Sequence, residues 1–149
     1  MTGSAGGVSR NRAVLDRFYL AINRMEVDEL AASIEDGFAP DAVMRISDSL
    51  PYGGSHRGRD AIKGMLTKLV TTRTPMVLPD KIVVKRMLEQ GDQIAVEPDF
   101  LWLAPGASEP IRMSAVEWFV FSDGRVTEMQ VGYWDTAACV RAMDAARSG

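Results

Sequence analysis

The stretch Ser114–Asp135, SAVEWFVFSDGRVTEMQVGYWD, decides how the chain folds. At its centre Asp123-Gly124 is a hairpin signal, because both residue types accept the positive φ that a two-residue turn requires. It separates two strand-like runs, Ile111–Phe121 and Val126–Tyr133. On the first run Ala115, Glu117, Phe119 and Phe121 share one face, and Ser114, Val116, Trp118 and Val120 share the other. Both faces are mostly apolar, which suits a strand covered by an interior on one side and by a partner subunit on the other. On the second run Thr127, Met129, Val131 and Tyr133 share one face. One carboxyl, Glu117, therefore stands among Phe and Ala.

Upstream the same period continues. Ile94, Val96, Pro98, Phe100 and Trp102 alternate with Ala95, Glu97, Asp99, Leu101 and Leu103, so the first set points inward and the two acids outward. Val77–Glu89 is also strand-like, Gly91-Asp92 marks a turn, and Ala104–Pro110 is a turn-rich connection. The first half has helical spacing instead. Val14, Leu15, Phe18 and Ile22 form one stripe between Asn11 and Arg24, and Val27, Leu30, Ala31 and Ile34 form a second. Ala42–Ile46 is a short strand, and Ser47–Gly58 (SDSLPYGGSHRG) is loop-like in composition. A third helix starts at Asp60, with Ile62, Met65, Leu66 and Leu69 on one face, and Thr136–Ala146 is a short terminal helix. Helices followed by long antiparallel strands make an α+β domain, a curved antiparallel sheet wrapped around three helices. Residues 1–10 form a flexible tail and 11–149 the single domain.

Composition limits the chemistry. The chain has 149 residues, 46% hydrophobic, and its 17 basic side chains fall just short of its 20 acidic ones. That is enough for one cored domain, and the charge balance argues against a nucleic-acid partner. No apolar run approaches a membrane span. The N-terminal residues lack the apolar centre of a signal peptide, so a cytoplasmic location is expected. A single Cys excludes an internal disulfide and a Cys-rich zinc site, and a single His leaves little for metal ligation or a His-based dyad. Neither a phosphate loop nor a dinucleotide fingerprint appears. No metal or other cofactor is expected, and catalysis would fall to carboxylates, Tyr, Trp and Arg.

The segments FYLAINRMEVDELAASIEDGFAPDAV, RGRDAIKGML and FVFSDGRVTEMQVGYWD together resemble the nuclear-transport-factor-2-like superfamily. Within it the likeness is to SnoaL-like polyketide cyclases, ketosteroid isomerases and limonene-epoxide hydrolases, over roughly residues 12–135. The resemblance implies a cone whose sheet curls around a hydrophobic cavity closed by the helices, with a homodimer made through the outer sheet face. Ketosteroid isomerases place an oxyanion-hole Tyr five residues before an Asn on the first helix. Here Asn23 matches the Asn, Phe18 occupies the Tyr position, and Tyr19 lies one step away, turned by about 100°. The isomerase base is replaced by Ile46, leaving Asp48 as the nearest acid. The second oxyanion donor, a carboxylic acid, is matched by Glu117. Ungapped matching to the epoxide hydrolases puts Pro98, Phe100 and Val131 where their catalytic groups stand, and none of these can activate water. Only a one-residue slip would turn Asp99 inward, and it would turn Phe100 and Trp102 outward.

Glu117 is the foremost catalytic candidate, because a carboxyl among apolar side chains has a raised pKa and can act as acid or hydrogen-bond donor. The plain alternative is a structural Glu held by Arg or Tyr. Tyr133 could bond Glu117 or a ligand oxygen, and Asp48 is a candidate replacement base, against a solvated loop acid. Phe18, Tyr19, Phe100, Trp102, Phe119 and Met129 are candidate substrate-binding wall; plain core packing is the alternative for each. His56, near Tyr52 in the loop, is a candidate at the pocket mouth. Cys139 reads as a buried small hydrophobe. The expected function is a cofactor-free cyclase, isomerase or dehydratase acting on a hydrophobic oxygenated small molecule, polyketide or steroid-like in kind. The alternatives are a non-catalytic binding protein of the same fold, an epoxide hydrolase with a displaced catalytic set, and a dimerisation scaffold with a filled interior.

Overall fold

The computed structural model describes residues 7–148. The expected tail falls largely outside them: residues 1–6 are not described, and helix α1 (Arg10–Asn23) begins directly after Ser9, whose hydroxyl caps it by accepting from the Arg12 amide. Helix α2 (Val27–Gly37) follows, with Asp28 and Glu29 in its first turn, where carboxylates favour the helix dipole. Strand β1 (Phe38–Ile46) begins without a linker, four residues before the sequence pattern starts it. Strand β2 (Gly54–Arg57), helix α3 (Arg59–Thr71), a 3₁₀ turn (Pro79–Lys81) and strand β3 (Val83–Gln90) come next. Strands β4 (Gln93–Trp102), β5 (Ile111–Ser122) and β6 (Arg125–Tyr133) precede helix α4 (Thr136–Ser148).

The six strands form one open sheet in the order β2-β1-β6-β5-β4-β3. From β3 to β6 the chain runs as an antiparallel meander. The β5–β6 turn is Asp123-Gly124, with φ of +51° and +76°, the positive pair that the hairpin signal requires. The α+β class is as expected, with two changes of detail. The sheet is mixed, because β1 pairs parallel with β6, while the four helices lie where the sequence expects them. Helical crossovers between distant strands permit parallel pairing, which a residue-by-residue period cannot show. The second change lies in Ser47–Gly58, which is not wholly loop: Gly54–Arg57 pairs antiparallel with β1. Gly53 makes that return possible, since a Cβ there would lie 1.9 Å from the Ser47 carbonyl oxygen.

Along β4 burial alternates strictly, with Ile94, Val96, Pro98, Phe100 and Trp102 buried and the residues between them half-buried. The buried set meets Leu15, Phe18 and Ile22 of α1 and Leu30 and Ile34 of α2. Side chains of this size contribute about 1.5–3 kcal/mol each on burial, and this shared interior fixes the helices against the sheet. Cys139 of α4 is buried, as expected. None of the described helices is long and apolar enough to cross a membrane.

Candidate functional site

Between the inner sheet face and helices α1 and α3 lies a cavity of about 800 Å³. Most of its wall is apolar, from Ile22, Met44, Ile46, Met65, Leu69, Phe100, Met129 and Val131 among others. Size and lining suit a small hydrophobic ligand held by a few fixed polar groups. Those groups fall into two poles.

The first pole is Glu117 with Tyr19. Val96, opposite Glu117 on β4, is fully buried, and the shared register turns Glu117 inward with it. The Tyr19 hydroxyl donates to Glu117 Oε1, joining α1 to the sheet. Oε2 has no partner among the described residues. Glu117 is half-buried and lines the cavity. Burial raises its pKa to about 7, while the Tyr19 bond, which favours the ionised form, pulls the other way. Burial, with the neighbouring Glu117 charge, raises Tyr19 well above the usual phenol value, so Tyr19 stays a donor.

The second pole is a chain of three aromatic residues. The Trp102 indole N–H donates to Tyr52 Oη at 2.9 Å, and the Tyr52 and Tyr133 hydroxyls are bonded to each other. These groups hold three hydrogens for two contacts, so one hydroxyl hydrogen remains for a ligand. Trp102 donates to Tyr52, and either hydroxyl can be the donor between Tyr52 and Tyr133, so the unspent hydrogen belongs to one of these two phenols. Burial raises both phenols, first among the causes in each case. His56 completes this side, its Nε2 lying 2.9 Å from the Tyr52 carbonyl oxygen.

Of the sequence candidates, Glu117, Tyr133, Phe18, Tyr19, Phe100, Met129 and His56 all line the cavity. Several details change. Tyr19, not the residue in the isomerase Tyr position, Phe18, meets Glu117; the two rings pack edge to face with centroids 5.2 Å apart. Tyr133 bonds Tyr52 rather than Glu117. Trp102 and Phe119 are fully buried and stand behind the wall, one as a donor to Tyr52 and the other against the Phe18 and Tyr19 rings. Asp48 is exposed and outside the cavity, because the tight return before β2 carries it to the surface. His56 lies on β2 rather than in a loop. Asp99 pairs with Lys85 at 3.4 Å on the outer face while Pro98 and Phe100 are buried, so the register slip required by a displaced epoxide-hydrolase set does not occur. Asn23 bonds the Pro79 and Ile82 carbonyl oxygens, tying α1 to the 3₁₀ turn. Tyr52 escaped the sequence reading as a site residue. Its only signal was an aromatic in a Gly/Ser/Pro-rich segment, where apolar bulk has no local use.

The SnoaL-like domain model matches residues 15–129, which is most of the chain and includes both poles except for Tyr133. The protein belongs to the SnoaL-like domain family. No curated protein matches the sequence significantly. Solved structures share the SnoaL-like fold at low identity. A nuclear-transport-factor-2-like protein from Burkholderia xenovorans LB400 is 22% identical, with a TM-score of 0.70 over 93% of this chain and 99% of its own. TerC, co-crystallised with polyporic acid, is 19% identical, with a TM-score of 0.72 over 91% and 99%. A protein classed as a SnoaL-like polyketide cyclase from Jannaschia sp. CCS1 is 14% identical, with a TM-score of 0.72 over 96% and 98%. At such identities the likeness establishes the fold alone.

Proposed function

We propose that this SnoaL-like chain is a cofactor-free acid/base enzyme, of cyclase, isomerase or dehydratase type, acting on a hydrophobic oxygenated small molecule. The observation that carries the reading is the Glu117 carboxyl on the wall of an apolar cavity, held through Oε1 by Tyr19 and with Oε2 unpartnered among the described residues. Below about pH 7 Oε2 bears a proton and donates it to a substrate carbonyl or enol oxygen. Above that pH the same atom is a base. The unspent hydroxyl hydrogen of the Tyr52–Tyr133 pair binds a second substrate oxygen, and the aromatic wall holds the carbon skeleton. TerC, with its polyporic acid, supports a small-molecule occupant for this fold.

The test begins with polycyclic ketones and phenols screened by thermal shift, followed by turnover assays of wild type and Glu117→Gln on those that bind. Glu117→Gln should keep binding and lose about 10²-fold or more of kcat. Full activity in a folded Glu117→Gln variant removes Glu117 from the chemistry.

A second reading is favoured by Ile46, which lines the cavity where isomerases carry their base. It makes the chain a binding protein of the same fold, and it predicts that every bound compound is recovered unchanged after long incubation. Both readings carry the expected homodimer. Val116 and Trp118 on the outer face of β5 are 49% and 47% exposed, apolar surface that a second copy would cover. Light scattering should then give twice the chain mass of 16.3 kDa, and a monomer at micromolar concentration sinks that part.

A further inference from the structure

An acid at Glu117 without a base elsewhere is half of a proton-transfer site. Asp48 lies outside the cavity, and Ile46 has no proton-accepting group. Besides Lys68, whose side chain is exposed at the rim and whose amine is ordinarily a cation, the cavity residue with an unspent basic atom is His56, and three observations fix its tautomer. First, His56 pairs with Met44 in the β1–β2 ladder, and residues directly opposite in a ladder share a face. Met44 is buried on the cavity wall, so His56 points inward with it, while its neighbours Ser55 and Arg57 are exposed. Second, Nε2 lies 2.9 Å from the Tyr52 carbonyl oxygen. A carbonyl only accepts, so Nε2 carries the hydrogen and the neutral ring has its lone pair on Nδ1. Third, Nδ1 has no partner among the described residues.

Resting on the acid/base reading above, we propose that His56 is the base that partners Glu117 across the cavity, with Nδ1 as the proton-accepting atom. Nδ1 takes a proton from a carbon beside the substrate carbonyl. The C–H electron pair becomes the enol C=C bond, and the carbonyl π pair moves to oxygen, which takes the proton from Glu117. Where a C=C adjoins that carbon, the imidazolium proton returns to its far end and the enol proton to Glu117, which moves the double bond into conjugation with the carbonyl and restores both groups. No oxidant or further reactant is needed. Tyr52 is the positioning residue for both partners on its side: its carbonyl sets the His56 tautomer and its hydroxyl orients Tyr133.

The chain contains one histidine, so ¹⁵N-histidine labelling of the whole protein gives a single imidazole spectrum. Long-range ¹H–¹⁵N correlation of the neutral ring should show the Nε2–H tautomer with a bare Nδ1. An Nδ1–H ring, or free exchange between the two forms, overturns the assignment. Addition of 2-naphthol, a planar apolar enol mimic, should then shift Nδ1 more than Nε2, in wild type and in Glu117→Gln alike. Cavity methionine methyl signals that respond to 2-naphthol while Nδ1 does not move also overturn it. If neither responds, the cavity does not admit this class of ligand and the proposed function loses its support, while the tautomer measurement still decides His56.

Discussion

Glu97 and Glu117 occupy adjacent strands, since Val96 is the register partner of Glu117, yet the sheet puts them in opposite environments. Glu97 faces outward and pairs with Arg86 at 2.5 Å, which holds its carboxyl below the usual value. Glu117 faces the cavity with no ion-pair partner among the described residues, and burial lifts it to about 7. Two identical side chains thus differ in protonation near neutral pH because of one residue's difference in strand phase. Face, more than local sequence, sets which acid can do chemistry.

The largest expected effect uses that contrast directly. Folded Glu117 keeps its proton up to about pH 7, whereas the ordinary carboxyl value is 4.5. The folded chain therefore binds more protons in this window, and stability present below it falls as pH rises through it. The loss should approach about 3 kcal/mol. Urea unfolding across pH 4–8 should show this slope in wild type and not in Glu117→Gln. Glu97→Gln is the opposite control: its depressed pKa stabilises above the carboxyl range and is lost on acidification, and it should leave the neutral slope in place. A flat wild-type profile breaks the contrast.

The second effect concerns Tyr52. Tyr52→Phe leaves the Trp102 N–H, on a side chain with no exposure, without its acceptor. That should cost about 1–3 kcal/mol of unfolding free energy, read as a lower urea midpoint. The variant keeps its backbone carbonyl, so His56 should hold its Nε2–H form. A tautomer change in this variant would mean that the phenol, not the carbonyl, fixes the ring.

The smallest effect sharpens the first pole. Tyr19→Phe preserves the packing against Phe18 and Phe119 but removes the one donor to Glu117 among the described residues. Because that bond favours the carboxylate, the Glu117 titration followed by ¹³C carboxyl NMR should move upward. Stability should drop by about 1 kcal/mol. A downward move would reassign the cause of the Glu117 shift.

Much of this was legible in the chain. The alternation in Ile94–Trp102 and the Asp123-Gly124 turn are local signals, and local signals set strand phase; that phase turned Glu117 inward and Asp99 outward. Helical phase served less well. Phe18 and Tyr19 are neighbours on α1 and both reach the cavity, and only the rotation of α1 over the sheet selects Tyr19 for Glu117. The Tyr52–Tyr133 contact spans 81 residues and passes through an edge strand built from Gly, Ser, His and Arg, with no apolar period to announce it. Trp102 and Phe119 look like pocket wall in sequence because core and cavity lining use the same residue types. Only the position of the void separates them.

The two poles span long loops of chain. Tyr19 and Glu117 are 98 residues apart, and Tyr52 lies 50 residues from Trp102. Closing a loop of the longer span costs about 4 kcal/mol in chain entropy, whereas one such hydrogen bond returns about 1 kcal/mol net. Neither pole can therefore draw its own halves together. The parallel β1–β6 seam and the helix packing do that work, and the polar groups ride on a frame whose formation does not depend on them. Such a frame can exchange one set of polar groups for another without losing its fold, and the route to a new reaction in this chain runs through single side chains facing the cavity.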